Sequence, residues 1–273
     1  MLKSMLTLKG AAHMPQTSPP SNGKYLYAIA AGSEEWTYDV TGIDRATVYG
    51  VTDGVVTAVV SDCSRRKIRP ERAQLAAHQE ILRRLMLDRT VLPVAFGIIA
   101  DNLKAVRKML SLNQPAFLEQ IERVAGKVEM GLRVIWDVPN IFEYFIDLHP
   151  ELRSARDRLL GGSREPRQEE KIELGRLFEQ LLTEDRETHF SQIEEVLTPC
   201  CDAIKRAPPR QVQEVVNLSL LVERGRQKDL EEAVLTAARL FDNNYAFDVN
   251  GPWAPHNFVE MNLQLNHSDS VEH

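Results

Sequence analysis

Eight residues near the C-terminal end, Gly251-Pro252-Trp253-Ala254-Pro255-His256-Asn257-Phe258, restrict what this chain can become more than any other stretch. Their two prolines fix φ and remove two backbone donors, so neither a helix interior nor a central strand can pass through the run. Gly251 lets the backbone turn, and the rings of Trp253 and Phe258 carry enough apolar surface to anchor the stop in a core. The run therefore predicts a strand that ends and is pinned, with Gly251, Pro252, Trp253, Pro255 and Phe258 as structural residues. No nucleophile stands in it, which points to folding rather than to chemistry.

With 273 residues the chain is long enough for two cores of ordinary domain size. Its 39 acidic residues outnumber 33 basic ones, which argues against a phosphate-neutralising surface and against nucleic acid as a partner. Basic clusters occur at Arg65-Arg66-Lys67 with Arg69 and at Lys205-Arg206 with Arg210. Neither has interleaved aromatics, so both read as solvated turns. Cys63, Cys200 and Cys201 match no zinc-ribbon or redox spacing, and the adjacent pair falls in a helical pattern where neighbours diverge by about 100°. Reduced thiols and a cytoplasmic location follow as expectations.

Lysines interrupt the weakly apolar start and prolines follow, so residues 1–23 read as a disordered arm rather than a signal peptide. The longest apolar stretch, Val91 to Ala100, contains Pro93 and falls well short of the roughly twenty residues that span a bilayer. No membrane partner is expected.

Periodicity orders the rest. Tyr25 to Ala30 is strand-like, and strands at Ala46 to Val51 and Val55 to Val60 flank the turn signal Asp53-Gly54. Pro70 opens a helix with Leu75, Ile81, Leu82 and Leu85 on one face, and Val91 to Ile99 returns as a buried strand. Asp101 caps a helix to Leu110, Pro115 opens another to Val124, and a boundary near Gly126 separates an N-terminal domain, 24–127, from a second, 128–260. The second reads as a strand, Val128 to Trp136; helices Ile141 to Leu148 and Leu152 to Leu160; a mobile loop around Gly161-Gly162-Ser163; and a helical stretch Gln168 to Ile204 divided at Pro199. A strand Val212 to Val222, a helix Lys228 to Phe241 and a strand Asn244 to Val249 complete it, and 261–273 forms a polar tail. The fold class is α+β: a small mixed N-terminal sheet with helices, and a C-terminal ferredoxin-like sheet covered by helices.

Catalytic templates fail in turn. No G-x-S-x-G elbow, Walker loop, H-E-x-x-H or G-x-G-x-x-G occurs, so hydrolase and nucleotide-dependent readings lack their machinery. His78 has Glu80 two positions on, which a helix turns away from it, and His149, His189 and His256 are isolated. No catalytic residue, cofactor or metal site is therefore assigned. Charges between Arg164 and Arg176 alternate at helical offsets, as on a solvated helix face. The alternative is an enzyme or small-ligand protein whose interdomain cleft gathers distant residues such as His78, Glu129 and Arg133.

Four segments carry a resemblance. The closing run is similar to the G-P-W-P-P-Y-x-F signature of the gas vesicle protein F/L family, with Ala254 and His256 at two of its positions. Val91-Leu92-Pro93-Val94-Ala95-Phe96-Gly97 resembles the family's V-L-P-x-x-F-G block, with His78 about one helix upstream. Glu129-Met130-Gly131-Leu132-Arg133-Val134 resembles E-W-x-V-K-V, and Asn217 to Val222 resembles N-x-A-x-L-V. Order and spacing hold from Tyr25 to Phe258. The resemblance implies an accessory or minor component of an air-filled protein shell, which handles the major shell protein, a small and very apolar subunit, and possible contact with other gas vesicle accessory proteins. Covering such a subunit suppresses wrong association. The N-terminal domain, with three short strands and one long helix, is expected to leave sheet surface uncovered for that partner, at Tyr25, Tyr27, Tyr49 and Val51.

Overall fold

The computed structural model describes residues 23–33, 37–161 and 166–260; the expected arm up to residue 22, most of the Gly-Gly-Ser loop and the tail 261–273 lie outside them. Consecutive β-branched and aromatic residues make the first sheet. Its strands are β1 (Gly23–Ala31), β2 (Thr37–Thr41), β3 (Thr47–Thr52), β4 (Val56–Cys63), β5 (Val91–Pro93) and β6 (Ile99–Ala100), ordered β2-β3-β4-β1-β5 with β6 also on β1. Every pairing is antiparallel. The β3–β4 turn forms because Gly54 takes φ +103° while the Asp53 carboxylate accepts from the Val55 and Val56 amides at 3.0 Å. The single strand expected over Val91 to Ile99 is instead two, because Pro93 ends the first and the turn at Gly97, φ +92°, separates the second.

Two helices close this sheet on opposite faces. Helix α1 (Arg72–Asp88) covers one with Ile81, Leu82 and Leu85; α2 (Leu103–Arg123) covers the other with Val106, Leu110 and Phe117. Leu75, expected on the apolar face of α1, is exposed. The cap of α2 is Asn102, one residue beyond Asp101, and its side chain accepts from the Ala105 amide at 2.9 Å. The helix runs through Pro115 rather than restarting there. Its buried face, Met109, Leu110, Asn113 and Phe117, continues in phase past the proline, and that packing outweighs the missing hydrogen bond.

The second sheet comprises β7 (Lys127–Trp136), β8 (Ala203–Ala207), β9 (Glu214–Glu223) and β10 (Tyr245–Trp253), in the order β10-β7-β9-β8 and antiparallel throughout. Helices α3 (Ile141–Leu148), α4 (Pro150–Leu160) and α5 (Gln168–Leu197) connect β7 to β8, and α6 (Gln227–Ala238) connects β9 to β10. This is the βαββαβ order of a ferredoxin-like unit. Strand β8 replaces the end of the expected Gln168 to Ile204 helical stretch. Thr198–Cys200 forms a 3-10 turn after α5, and Ala203 to Ala207 then pair with Leu221 to Asn217. Lys205 and Arg206 consequently lie in a strand, not in a solvated turn, where Lys205 meets Glu260 at 3.2 Å and Arg206 meets Glu187 at 2.8 Å.

Alternation along β7 sets the faces of this sheet. Val128, Met130, Leu132, Val134 and Trp136 join the helices' Phe145, Leu152 and Leu181 in a core, whereas Gly131, Arg133 and Ile135 on the other face are only half-buried. The two sheets do not have sealed, separate cores. Buried residues around α1 are contiguous with Val128, Met130 and Ala254, and Leu221 and Phe258 belong to the cluster under α2.

Candidate functional site

The junction between the sheets is where the closing run, His78 and Glu129 meet. Near the end of β10 the chain bends at Gly251, φ +123°, where a Cβ would lie 2.9 Å from Met130 Sδ and 3.0 Å from the Glu129 carbonyl oxygen. Phe258 then enters the cluster under α2 and is 0% exposed, with Lys205 Nζ 5.7 Å from its ring centre. The buried Glu129 carboxylate accepts from the Asn257 amide at 2.9 Å and from its side-chain nitrogen, which also donates to Ser219 Oγ. The Glu260 amide donates to Gln120 of α2 at 3.1 Å. The closing run thus ties α2 to β7, β8 and β9.

Trp253 corrects the expectation of a buried anchor: it is 45% exposed. It ends the outer strand of the sheet, pairs with Glu129 after an irregularity in register, and donates from its indole to Asn250 Oδ1 at 2.9 Å. Phe258 occupies the core instead. The partner-facing residues proposed for the N-terminal sheet need the same correction, since Tyr25 and Tyr27 are 0% exposed and Val51 is buried, leaving only Tyr49 half-buried. A bulge between Leu26 and Ala28 places Tyr25, Tyr27, Ala28 and Ala30 toward α1 and Leu26 and Ile29 toward α2, so both faces of β1 are covered. Tyr27 bonds Ser61 Oγ and the Ile43 amide, and Tyr49 donates to Asp62.

His78 is a core histidine, 1% exposed, between the rings of Tyr25, Tyr27 and Phe96. The Tyr25 hydroxyl accepts from the Gly97 amide at 3.1 Å, so its own proton is free for His78 Nδ1 at 2.9 Å. That assignment leaves the imidazole proton on Nε2, which has no hydrogen-bond partner. Burial first, and the His256 ring second, lower the His78 pKa to about 4, against a smaller opposing effect of the Val94 backbone. Burial likewise lowers that of His256, whose Nε2 is also unpartnered, while Glu129 opposes the shift. Two neutral imidazoles in an apolar junction are not placed to take a proton from a substrate.

Of the three residues of the enzyme alternative, His78 and Glu129 reach the junction but Arg133 is engaged elsewhere. Glu129 is committed to Asn257, and Arg133, further along β7, donates to Glu214 at 2.9 Å and Gln211 at 3.2 Å. Neither an open cleft of ≈ 730 Å³ beside Asp44, Arg45 and Arg65 nor one of ≈ 530 Å³ between α4 and α5 is lined by His78, Glu129 or Arg133. Among the described residues no three His, Cys, Asp or Glu side chains are grouped to hold a metal ion, and no helix is long and apolar enough to cross a membrane. The three cysteines are free thiols.

A polar network in the second unit escaped sequence reasoning because its members are far apart in the chain. His149 Nε2 meets Asp185 at 3.1 Å, and His189 Nε2 meets the Tyr245 hydroxyl at 2.9 Å. Buried Arg186 donates to the carbonyls of Glu214, Gln211 and Val212 and lies over the Trp136 ring. These contacts tie α5 to the α3–α4 corner at His149, to β9 and the loop before it, and to β10. A charged residue on the inward face of a helix was the signal available, at Arg186 beside Leu182 and Ile193.

Comparison with known proteins adds to this geometry. The profile of the family described as gas vesicle synthesis protein GvpL/GvpF matches residues 23–260. Gas vesicle protein F of a Nostoc species is 26% identical, covering 88% of this chain and 99% of its own. Gas vesicle protein F of a Streptomyces species is 29% identical, covering 86% and 99%. The crystal structure of GvpF from Anabaena superposes with a TM-score of 0.76 at 26% identity, over 88% of this chain and 99% of that one.

Proposed function

This chain belongs to the GvpL/GvpF family and takes part in gas vesicle formation; from that premise we propose that it is an assembly factor and minor vesicle component, which binds the apolar major shell protein in the cytoplasm and limits its aggregation. The family match over nearly the whole described chain carries this reading. The engagement of Glu129 with Asn257 and of Arg133 with Glu214 supports binding rather than catalysis. A subunit that must exclude water on one face exposes apolar surface before assembly, and a binder needs an accessible apolar anchor to meet it.

Trp253 is the best-placed anchor. It is half-exposed, held by Asn250, and stands at the end of β10, an outer strand whose far edge has no partner strand among the described residues. An exposed edge can accept an extended segment through backbone hydrogen bonds while the indole fixes its register. Co-expression of the full chain with the major shell protein, followed by affinity capture, tests the reading. Capture by the wild type and by Tyr49→Ala, with loss in a folded Trp253→Ala variant, is the expected pattern. Failure of the wild type to capture the shell protein would sink the proposal, and undiminished capture by Trp253→Ala would remove β10 as the contact.

A further inference from the structure

Most arginines of the second unit are committed to partners, as Arg133 is to Glu214, Arg206 to Glu187 and Arg226 to Asp229. The loop between β4 and α1 differs. Arg66, Lys67 and Arg69, with Arg72 at the start of α1, are exposed and form no ion pair with another described residue. Arg45 is exposed in the same way, across the cleft of ≈ 730 Å³ that Arg65 and Gln74 also line. Asp44, the carboxylate of this cleft, is already shared by Arg65 at 3.1 Å and Gln74 at 3.1 Å.

The backbone keeps Arg45 there at a cost. Asp44 and Arg45 take φ of 54° and 62°, a region unfavourable for residues with a Cβ. The conformation is held by Arg45 N–H to the Gly42 carbonyl, Ala46 N–H to the Ile43 carbonyl, and Ile43 N–H to the buried Tyr27 hydroxyl. Residues 44–45 and 64–72 together carry six cations against two carboxylates, Asp44 and Glu71, in a chain of formal net charge −6. Such a local reversal of sign attracts a complementary charge and sets the orientation of approach. The first turn of α1 carries no acidic residue, and Glu71 at its N-cap is the one carboxylate between Ser64 and Arg72.

We propose that the β4–α1 loop, together with Arg45, docks an acidic segment of a protein partner, at a surface separate from β10 and independent of which gas vesicle protein β10 meets. An acidic peptide fits better than nucleic acid. The loop from Ser64 to Arg72 contains no aromatic side chain on which a base could stack, and the acidic remainder of the chain repels a long polyphosphate.

The test uses the full chain and a fluorescein-labelled Glu-rich peptide, with binding read by anisotropy. A variant carrying Arg66→Gln, Lys67→Gln and Arg69→Gln is compared with a charge-matched control, Lys104→Gln, Lys108→Gln and Lys171→Gln, with folding checked by circular dichroism. An added Arg45→Gln forms a second variant, so that any effect of its strained backbone is seen separately. Wild type and control are expected to bind alike, with affinity falling as salt rises through about 0.1 M, where the screening length is about 10 Å. The loop variant is expected to bind about ten-fold more weakly. Equal loss in control and loop variants, no binding by wild type at low salt, or tighter binding of a duplex DNA probe than of the peptide would overturn the proposal.

Discussion

Replacing Phe258 with alanine tests whether the closing run fastens the two sheets to each other. The ring is fully buried in the cluster that also holds Leu26, Val106, Leu110 and Leu221, residues of β1, α2 and β9. Removing about 150 Å² of apolar surface at about 25 cal/mol per Å² loses roughly 4 kcal/mol, an upper figure because the unfolded chain already hides some of that area. The cavity left between elements that cannot fully collapse adds to the loss, so about 3 to 5 kcal/mol is expected. Urea unfolding followed by the fluorescence of buried Trp136 reads the change, with a lowered midpoint and an unchanged slope. A loss below about 1 kcal/mol would refute the reasoning. So would faster amide exchange confined to residues 254–260 with the global midpoint intact, since the run would then be a detachable strap.

Trp253→Ala, by contrast, removes a half-exposed ring and leaves no closed cavity, so a loss of about 1 kcal/mol is expected from the same urea titration; a loss equal to that of Phe258→Ala would contradict the assigned roles. Acid should weaken the fold through His78, whose folded pKa of about 4 lies below the ordinary imidazole value of 6.5. Its contribution is complete above pH 6.5 and is lost as pH falls toward 4, because the unfolded chain takes up the proton first; between pH 7.5 and 4.5 this amounts to roughly 2 to 3 kcal/mol. A His78→Gln variant should flatten that part of the pH profile measured by urea midpoint, and an unchanged slope would count against the assignment. Fragments divided between Lys127 and Val128 should each form their own sheet but bind one another when mixed, because Leu221 and Phe258 lose their partners under α2; fragments that stay apart in size-exclusion chromatography would show the shared core to be unimportant.

Local pattern alone determined much of the architecture. The aromatic run of β1, the β-branched residues of β4, β7 and β9, the Asp53-Gly54 turn, and the Ile81, Leu82 and Leu85 face of α1 are properties of residues close in the chain, and periodicity reports them directly. The closing run likewise announced a terminated strand. What covers each apolar face was decided elsewhere. Ala203 to Ala207 has no strong strand signal and extends only because β9 offers it a ladder. Tyr25 and Tyr27 looked suited to a partner, yet α1 and α2 clasp both sides of β1 and leave them no exposure. Trp253 and Phe258 are both large rings five positions apart, and the sequence does not rank them. Phe258 takes the core because Glu129 and Ser219 hold Asn257 beside it, whereas Trp253 is left on an outer strand with Asn250. Composition and spacing fix which surfaces are apolar; which of them stays open depends on contacts between residues more than a hundred positions apart, such as Glu129 with Asn257, that exist only once the second sheet has brought β7 beside β10.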